Sequence, residues 1–219
     1  MNRIQKTFRS SLCAAALAAL CVPAVLPAGA ALAAPSPADA KQLDQAVAAL
    51  RGISTLKADF LQTDRSGQVL RGTLTLKRPG RIRFQYEARA KMLIVGDGKA
   101  LTLIDYAVNQ VQRWPISDSP LGALLDPRRD VAKFGKVMQT GNPNVISVEV
   151  RDRQHPEYGV LTLIFTRKPS APGGLELSYW VALDSQNQRT TIALSNHRYG
   201  MPVGDGDFRW NDPRPRNRR

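Results

Sequence analysis

The sequence predicts a mainly β (α+β) domain: an incomplete antiparallel β-barrel, or strongly curved sheet, of about ten to eleven strands with an N-terminal helix and a central helical lid. Between residues 55 and 195, apolar and polar residues alternate with a period of two in one run after another, which is typical of strands with one buried face. Helical spacing occurs in only two places, residues 39–51 and 115–143. A sheet with one apolar face must be covered, and these two segments are the available cover.

The N-terminal segment predicts a cleaved secretory signal peptide. Arg3, Lys6 and Arg9 form a positive start, an uncharged apolar run covers residues 12–26, and small residues precede a cleavage point after Ala33. Prolines interrupt the apolar run, which is shorter than the roughly 20 residues that a membrane-spanning helix needs. A retained anchor is therefore the less favoured alternative, and we expect export to the periplasm.

Cleavage after Ala33 leaves one expected folded domain, residues 34–213, and a basic disordered tail, residues 214–219. Both cysteines precede the cleavage point, so disulfides, thiolate metal sites and cysteine nucleophiles are excluded from the mature chain. The full chain has 31 Lys and Arg against 18 Asp and Glu, a net charge of +13. Such a protein is attracted to anionic surfaces, and in the periplasm nucleic acid is not an expected partner. The outward-facing candidates for docking, with a merely solvated positive face as the alternative, are Lys57, Arg71, Lys77 and Arg81.

The first element is predicted to be an amphipathic helix over residues 39–51. Leu43, Val47 and Leu50 recur at spacings of four and three, which places them on one helical face. The expected caps are Ser36 or Asp39 at the start and Gly52 just past the end.

The strands that follow are predicted to pair as antiparallel hairpins. Turn residues separate the alternating runs at Ser66-Gly67, Arg78-Pro79-Gly80 and Gly96-Asp97-Gly98. The same alternation resumes after residue 143 and continues to residue 194. The series assigned to one face of the penultimate strand is Leu175, Leu177, Tyr179, Val181 and Leu183.

Two segments depart from strand periodicity. The stretch 115–143 contains four prolines and predicts two short helices. The first begins with Ser119 as cap and Pro120 in the first turn, and the second carries Val131, Phe134 and Met138. The C-terminal end from Asp205, with Phe208 and Trp210, is expected to be frayed.

The sequence offers little catalytic chemistry. His155 and His197 are its two histidines, each in a polar stretch beside an expected loop, so surface histidines are the favoured interpretation. The sequence contains no Gly-x-Ser-x-Gly, His-Glu-x-x-His or Walker A motif. A periplasmic hydrolase could use two carboxylate pairs, Asp59 with Asp64 and Asp97 with Asp105. These residues are predicted to lie on solvent-exposed strand faces or in turns, where solvated carboxylates are common. We therefore predict a protein that is not an enzyme, with no catalytic residues, no cofactor and no metal.

Two short helices cannot fill the concave face of about ten curved strands by tight packing. Because the inward positions are mostly apolar, water is a poor occupant, and a hydrophobic ligand follows as a hypothesis. The alternative is a sandwich whose two faces pack together without a cavity, and the pattern alone does not decide between them. The residues predicted to line the cavity are Phe60, Leu74, Leu76, Ile82, Phe84, Met92, Ile94, Trp114, Leu121, Leu124 and Leu125.

Four motifs occur in an order that is typical of one protein family. They are Ala58-Asp59-Phe60-Leu61-Gln62, Lys77-Arg78-Pro79-Gly80-Arg81, Ile94-Val95-Gly96-Asp97-Gly98-Lys99-Ala100-Leu101 and Ser119-Pro120-Leu121-Gly122-Ala123-Leu124-Leu125. Together they resemble the periplasmic carriers of outer-membrane lipoproteins, the LolA-like family, from about Asp39 to about Trp210. The resemblance implies an incomplete barrel with a helical lid, which favours the barrel over the sandwich.

The resemblance also implies a function. Members of this family accept an acylated lipoprotein from an inner-membrane ABC release complex, shelter its acyl chains and pass it to an outer-membrane lipoprotein receptor. We accordingly expect these partners, no cofactor and a monomer. The family pattern implies that Arg78 is a latch that hydrogen-bonds the lid and holds the empty cavity closed. Relatives with this fold bind free lipid or glycolipid, or sense misplaced lipoproteins, and these are the alternative functions.

The sequence departs from the family pattern at two places. Ile82 and Phe84 replace an aromatic pair, and Leu101-Thr102-Leu103-Ile104 replaces Leu-Trp-x-Tyr. Fewer indole rings imply a differently shaped pocket.

Overall fold

The alternating runs form eleven strands in a computed structural model that describes residues 36–116, 121–125 and 131–215. The strands are β1 Thr55–Thr63, β2 Val69–Lys77, β3 Arg81–Tyr86, β4 Met92–Asp97, β5 Ala100–Asp105, β6 Gln110–Pro115, β7 Gly135–Met138, β8 Val145–Arg151, β9 Val160–Arg167, β10 Leu175–Leu183 and β11 Arg189–Tyr199. The helices are α1 Pro37–Gly52, α2 Gly122–Leu125 and α3 Val131–Phe134. The predicted signal segment 1–33 and the last four residues of the predicted tail, 216–219, lie outside the described residues.

All eleven strands belong to one antiparallel sheet in the order β6-β5-β4-β3-β2-β1-β11-β10-β9-β8-β7. Two meanders, β1 to β6 and β7 to β11, are joined where β1 pairs with β11, with Leu56 opposite Tyr199 and Phe60 opposite Leu194. The sheet is not closed, because β6 and β7 stand at its two ends. The predicted fold class, an incomplete antiparallel barrel of ten to eleven strands, is confirmed, and the two-sheet sandwich is not what forms.

The sheet curves so strongly that side chains of β3 and β10 contact each other across its concave face. Phe84 on β3 and Trp180 on β10 are four strand spacings apart, about 19 Å in a flat sheet. Their ring centroids lie only 5.9 Å apart, in edge-to-face geometry. The inward side chains therefore form one shared interior.

Helix α1 covers part of this interior. Ser36 caps its start: the Ser36 Oγ accepts a hydrogen bond from the Asp39 amide at 3.1 Å, and the Asp39 carboxylate accepts one from the Ser36 amide at 3.4 Å. The predicted Ser36 cap is confirmed, whereas Gly52 is the last residue of the helix instead of the residue beyond it. The helix buries its apolar face, Ala46, Val47, Ala49 and Leu50, in the main core cluster. No helix in the described ranges has the length and apolar character that crossing a bilayer requires.

The β4–β5 hairpin forms where the sequence predicts it. The Asp97 carboxylate accepts hydrogen bonds from the amides of Lys99 and Ala100, both at 2.8 Å, and lies 2.6 Å from an Arg113 nitrogen. Burial alone would raise the pKa of Asp97, but these amides and the Arg113 cation outweigh it and lower the pKa. Gly98 has φ +95°, a backbone conformation that favours glycine.

After Leu177, the side chains of β10 point to the opposite faces of the sheet from those predicted. A register shift against β9 between Leu177 and Tyr179 adds one residue to β10. Such a bulge reverses the faces of all later residues. Trp180 is consequently buried at 1% exposure, and Tyr179 is turned outward at 46% exposure. The prediction is therefore wrong that Leu175 shares a face with Tyr179, Val181 and Leu183.

The predicted central helices are both present but short. Ser119 and Pro120, the predicted start of the first helix, lie outside the described residues. The second prediction is wrong at Met138, because β7 begins directly after Phe134 and pairs Met138 with Ser147 of β8. Strand pairing at the edge of the sheet thus overrides helical spacing, and Met138 is 40% exposed.

The C-terminal segment Val203–Trp210, here called the strap, is packed against the sheet. Val203 and Phe208 are each 8% exposed and form a second apolar cluster with the convex side of β4 and β5. The members that the sheet contributes to this cluster are Leu93, Val95 and Ile104. The prediction of a frayed end is therefore wrong for the strap, because β4 carries apolar residues on both faces and needs cover on both.

Basic side chains of β2 and β3 hold the strap in place. The Lys77 Nζ donates a hydrogen bond to the Asp205 carboxylate at 2.8 Å, and Arg81 forms an ion pair with the same group. The Arg83 guanidinium donates to the carbonyl of Arg209 at 2.9 Å. Lys77 and Arg81 therefore serve an internal contact, which weakens the prediction that they dock partners.

Phe208→Ala is expected to lower the free energy of unfolding by about 3 kcal/mol, because it leaves a cavity over β4 and β5. Urea denaturation measures this effect. Met201→Ala, at a 37% exposed residue just before the strap, is the matched control and should change stability little. Equal stability of Phe208→Ala and the wild type would show that the strap does not contribute to the fold.

Candidate functional site

The candidate site is the concave apolar face of the sheet. All eleven residues predicted to line a cavity lie in one cluster of the structure. Seven are buried, with 0–4% exposure, namely Phe60, Leu74, Leu76, Ile82, Phe84, Leu124 and Leu125. The other four are partly buried and pack against these, namely Met92, Ile94, Trp114 and Leu121. The structure brings these residues together, and their contact with a ligand stays a prediction.

An aromatic group forms the centre of this face. Phe60 contacts Phe84 and Tyr86 edge to face, with ring centroids 5.4 and 5.1 Å apart, and Phe84 contacts Trp180. The alternation does not predict an inward Trp180, because it does not reveal the β10 bulge. Trp180 places an indole ring in the interior, although the tryptophan of the family's Leu-Trp-x-Tyr motif is absent here.

A single polar pair sits at the side of the aromatic group. The Tyr86 hydroxyl donates a hydrogen bond to the Gln62 Oε1 at 2.6 Å. Burial raises the pKa of Tyr86, so the phenol stays neutral at physiological pH. This part of the site therefore carries no charge and has its hydrogen-bonding groups satisfied.

Helix α2 closes one end of the concave face, which we call the lid end. Leu124 and Leu125 are buried there, and a Cβ placed on Gly80 would come 3.4 Å from the Leu125 carbonyl oxygen and 2.8 Å from the Gly98 Cα. The β2–β3 and β4–β5 turns therefore press against each other beneath α2. The glycines allow this close approach.

Arg78 lies in the β2–β3 turn at the lid end. Its amide donates a hydrogen bond to the Ser54 carbonyl at 2.9 Å. The Nε atom is buried and has no hydrogen-bond partner among the described residues, and burial lowers the pKa of the guanidinium. The predicted latch to the lid stays a prediction.

The two histidines differ in environment. His155 is exposed and lies 3.0 Å from the Glu157 carboxylate, as a surface histidine does. The surface prediction is wrong for His197, whose side chain is 2% exposed. Its Nε2 donates to the Leu177 carbonyl at 2.8 Å, since a carbonyl only accepts. Within the described ranges, no three metal-ligating side chains cluster together.

The sequence matches one family of known proteins. Residues 51–211 match the family model described as outer membrane lipoprotein carrier protein LolA. An outer-membrane lipoprotein carrier protein of Xylella fastidiosa is 30% identical, and the match covers 73% of this chain and 79% of that protein. Another, from Chromobacterium violaceum, is 34% identical over 48% of this chain, which spans about half (54%) of that relative.

A LolA superfamily protein of Nitrosomonas europaea is among the similar solved structures. It superposes with a TM-score of 0.46 at 11% identity, covering 78% of this chain and 98% of the other. The family model accounts for most of the sequence, from the end of α1 through the strap. This chain belongs to the LolA family of outer membrane lipoprotein carrier proteins.

Proposed function

We propose that this protein shelters the acyl chains of lipoproteins on its concave face. It takes the lipoprotein from an inner-membrane ABC release complex and delivers it to an outer-membrane receptor, working in the periplasm as a monomer after cleavage behind Ala33. The observation that carries the proposal is the unclosed sheet, whose inward side chains form one apolar interior from β7 to β6. Family membership supports the same role.

The open sheet supports a route for loading by separation of its two flanks. Side-chain contacts such as Phe84 with Trp180 join the two sides of the concave face. Because β6 and β7 end the sheet, its two flanks can separate without breaking strand-to-strand hydrogen bonds. An edge-to-face aromatic pair is worth about 0.5–1.5 kcal/mol beyond its buried area. Each methylene group taken from water contributes about 0.8 kcal/mol, so a few methylenes of an acyl chain offset the separation of the rings.

The chemistry of the interior favours binding over catalysis. Tyr86 is neutral and hydrogen-bonded, and the buried side chains around it are apolar. His155 is exposed, and the buried His197 stacks on Tyr199 and donates a hydrogen bond to the Leu177 carbonyl. The protein therefore acts by sheltering and releasing its ligand.

Mass spectrometry of lipids that co-purify with the protein tests the proposal directly. Co-purifying acylated lipoprotein is the expected result. Free phospholipid or glycolipid would replace the carrier role with a lipid-binding one, and an esterase or glycosidase activity without bound lipid would indicate a hydrolase.

Leu124→Asp is expected to weaken the binding of a fluorescent diacylated lipopeptide at least tenfold, because it places a carboxylate against the acyl chains. Fluorescence titration measures the affinity. Val108→Asp, at a 58% exposed turn residue, is the matched control and should bind like the wild type. Leu124→Ala is a second variant for the case that Leu124→Asp does not fold. It removes apolar contact without adding charge and should also weaken binding. If the Asp variant is folded and its affinity is unchanged, Leu124 does not contact the acyl chains.

Arg78→Leu is expected to slow transfer of the lipopeptide to the outer-membrane receptor while leaving loading intact. The reason is that the lid end then lacks the cation that returns it to the closed state. Since burial costs the guanidinium hydration that a leucine side chain does not need, leucine should not lower the melting temperature. Arg78→Lys keeps the charge and should transfer faster than Arg78→Leu. Wild-type transfer kinetics in Arg78→Leu would remove the latch role.

A further inference from the structure

The convex face of the sheet carries a second depression, which we call the convex groove. It has a volume of about 530 Å³. Outward-facing residues of β1, β2, β10 and β11 and the residue Glu87 line most of it, and it also borders Phe60 and Leu194, whose side chains are buried in the interior. The lining residues used below are Asp59, Leu61, Arg71, Glu87 and Tyr179. The proposed acyl-chain site does not use these side chains.

Local backbone irregularities direct side chains into the convex groove. One register shift precedes Asp59 in its pairing with β11, and another precedes Tyr179 in its pairing with β9. Asn196, next to the Ser195 that lies opposite Asp59, has φ +53°, and its side-chain amide donates a hydrogen bond to the Asp59 Oδ2 at 2.7 Å. Bulges commonly re-aim side chains beside binding sites. Here they turn an aromatic ring outward and fix the orientation of a carboxylate.

The position of the groove excludes one mode of recognition. The four strands lie in the middle of the sheet, where each pairs with neighbours on both sides. Their backbone groups are used in the ladders, so a peptide cannot bind by adding a strand, as it would at an edge. Recognition must come from the side chains.

The side chains favour a neutral ligand with many hydroxyl groups. Asp59 and Glu87 are balanced by Arg71 in the lining and by Arg89, whose Nε lies 3.1 Å from the Glu87 carboxylate, so the groove has no net charge that would select an ion. An acyl chain would desolvate these charged groups without pairing them. A sugar ring, in contrast, offers hydroxyls to carboxylate and guanidinium groups and an apolar C–H face to the 46% exposed ring of Tyr179. We propose that the convex groove binds a neutral glycan built of pyranose rings.

Titration of the purified protein with chitohexaose and with maltohexaose, followed by NMR, tests this proposal. The wild type should bind at least one of them, with shifts at groove residues. Tyr179→Ala should weaken binding about tenfold and Asp59→Asn several-fold, because they remove the stacking ring and the oriented acceptor. Val181→Ala, on the same strand and convex face but outside the groove, is the matched control and should bind like the wild type.

Two outcomes overturn the proposal: the wild type binds neither oligosaccharide, or Tyr179→Ala and Asp59→Asn both bind as well as the wild type. Lipopeptide loading is measured on the same variants and is expected to stay at the wild-type level. Failure of the glycan site therefore leaves the carrier function untouched, and failure of lipopeptide binding leaves the glycan site untouched.

Discussion

The pairing of β1 with β11 is the constraint on which the rest of the structure depends. Each meander is held together by local hairpins, and among the described strands this ladder alone joins residues near position 60 to residues near position 194. It makes one sheet of two halves and lets their inward side chains share one interior. Strand β1 has β2 on its other side, so it is fixed from both sides and sets the register of both halves. A register slip of one residue here would turn Phe60 out of the interior and Asp59 into it.

A sheet of this length cannot stay flat with one apolar face, so it curls until its inward side chains meet. The contact of Phe84 with Trp180 shows where the two flanks meet. The curved sheet differs from a closed barrel because β6 and β7 are not paired with each other. In a closed barrel, widening the interior requires breaking backbone hydrogen bonds, whereas here it requires only the separation of side chains. Because the topology is open, the free energy needed to admit a ligand is that of separating side-chain contacts such as Phe84 with Trp180. A ligand can replace such contacts with its own.

Much of this architecture follows from the sequence because a period of two and short turns specify antiparallel hairpins locally. Phe60, Leu74 and Phe84 were assigned to the concave face from alternation alone. The errors have physical causes that alternation does not encode. The bulge before Tyr179 exchanged the faces of β10, so Trp180 was missed and Tyr179 was misplaced. The sequence predicts a frayed end for the strap because the contacts with Leu93 and Val95 join segments about a hundred residues apart, which local patterns do not show. It predicts a surface position for His197 because local polarity does not reveal long-range burial.

The packing of the concave face also bears on how a carrier can release what it binds. A wide, empty apolar cavity would gain the full transfer free energy of every methylene that enters it and would hold an acyl chain very tightly. In this protein the rings of Phe60, Phe84 and Trp180 already fill part of the interior, so in the proposed function an acyl chain would first displace their contacts. The proposed function thus implies that the net affinity is lowered by the free energy of those contacts, because binding would require an opened state. On release of the acyl chain the same rings would pack together again, so the side-chain contacts that oppose loading would favour unloading.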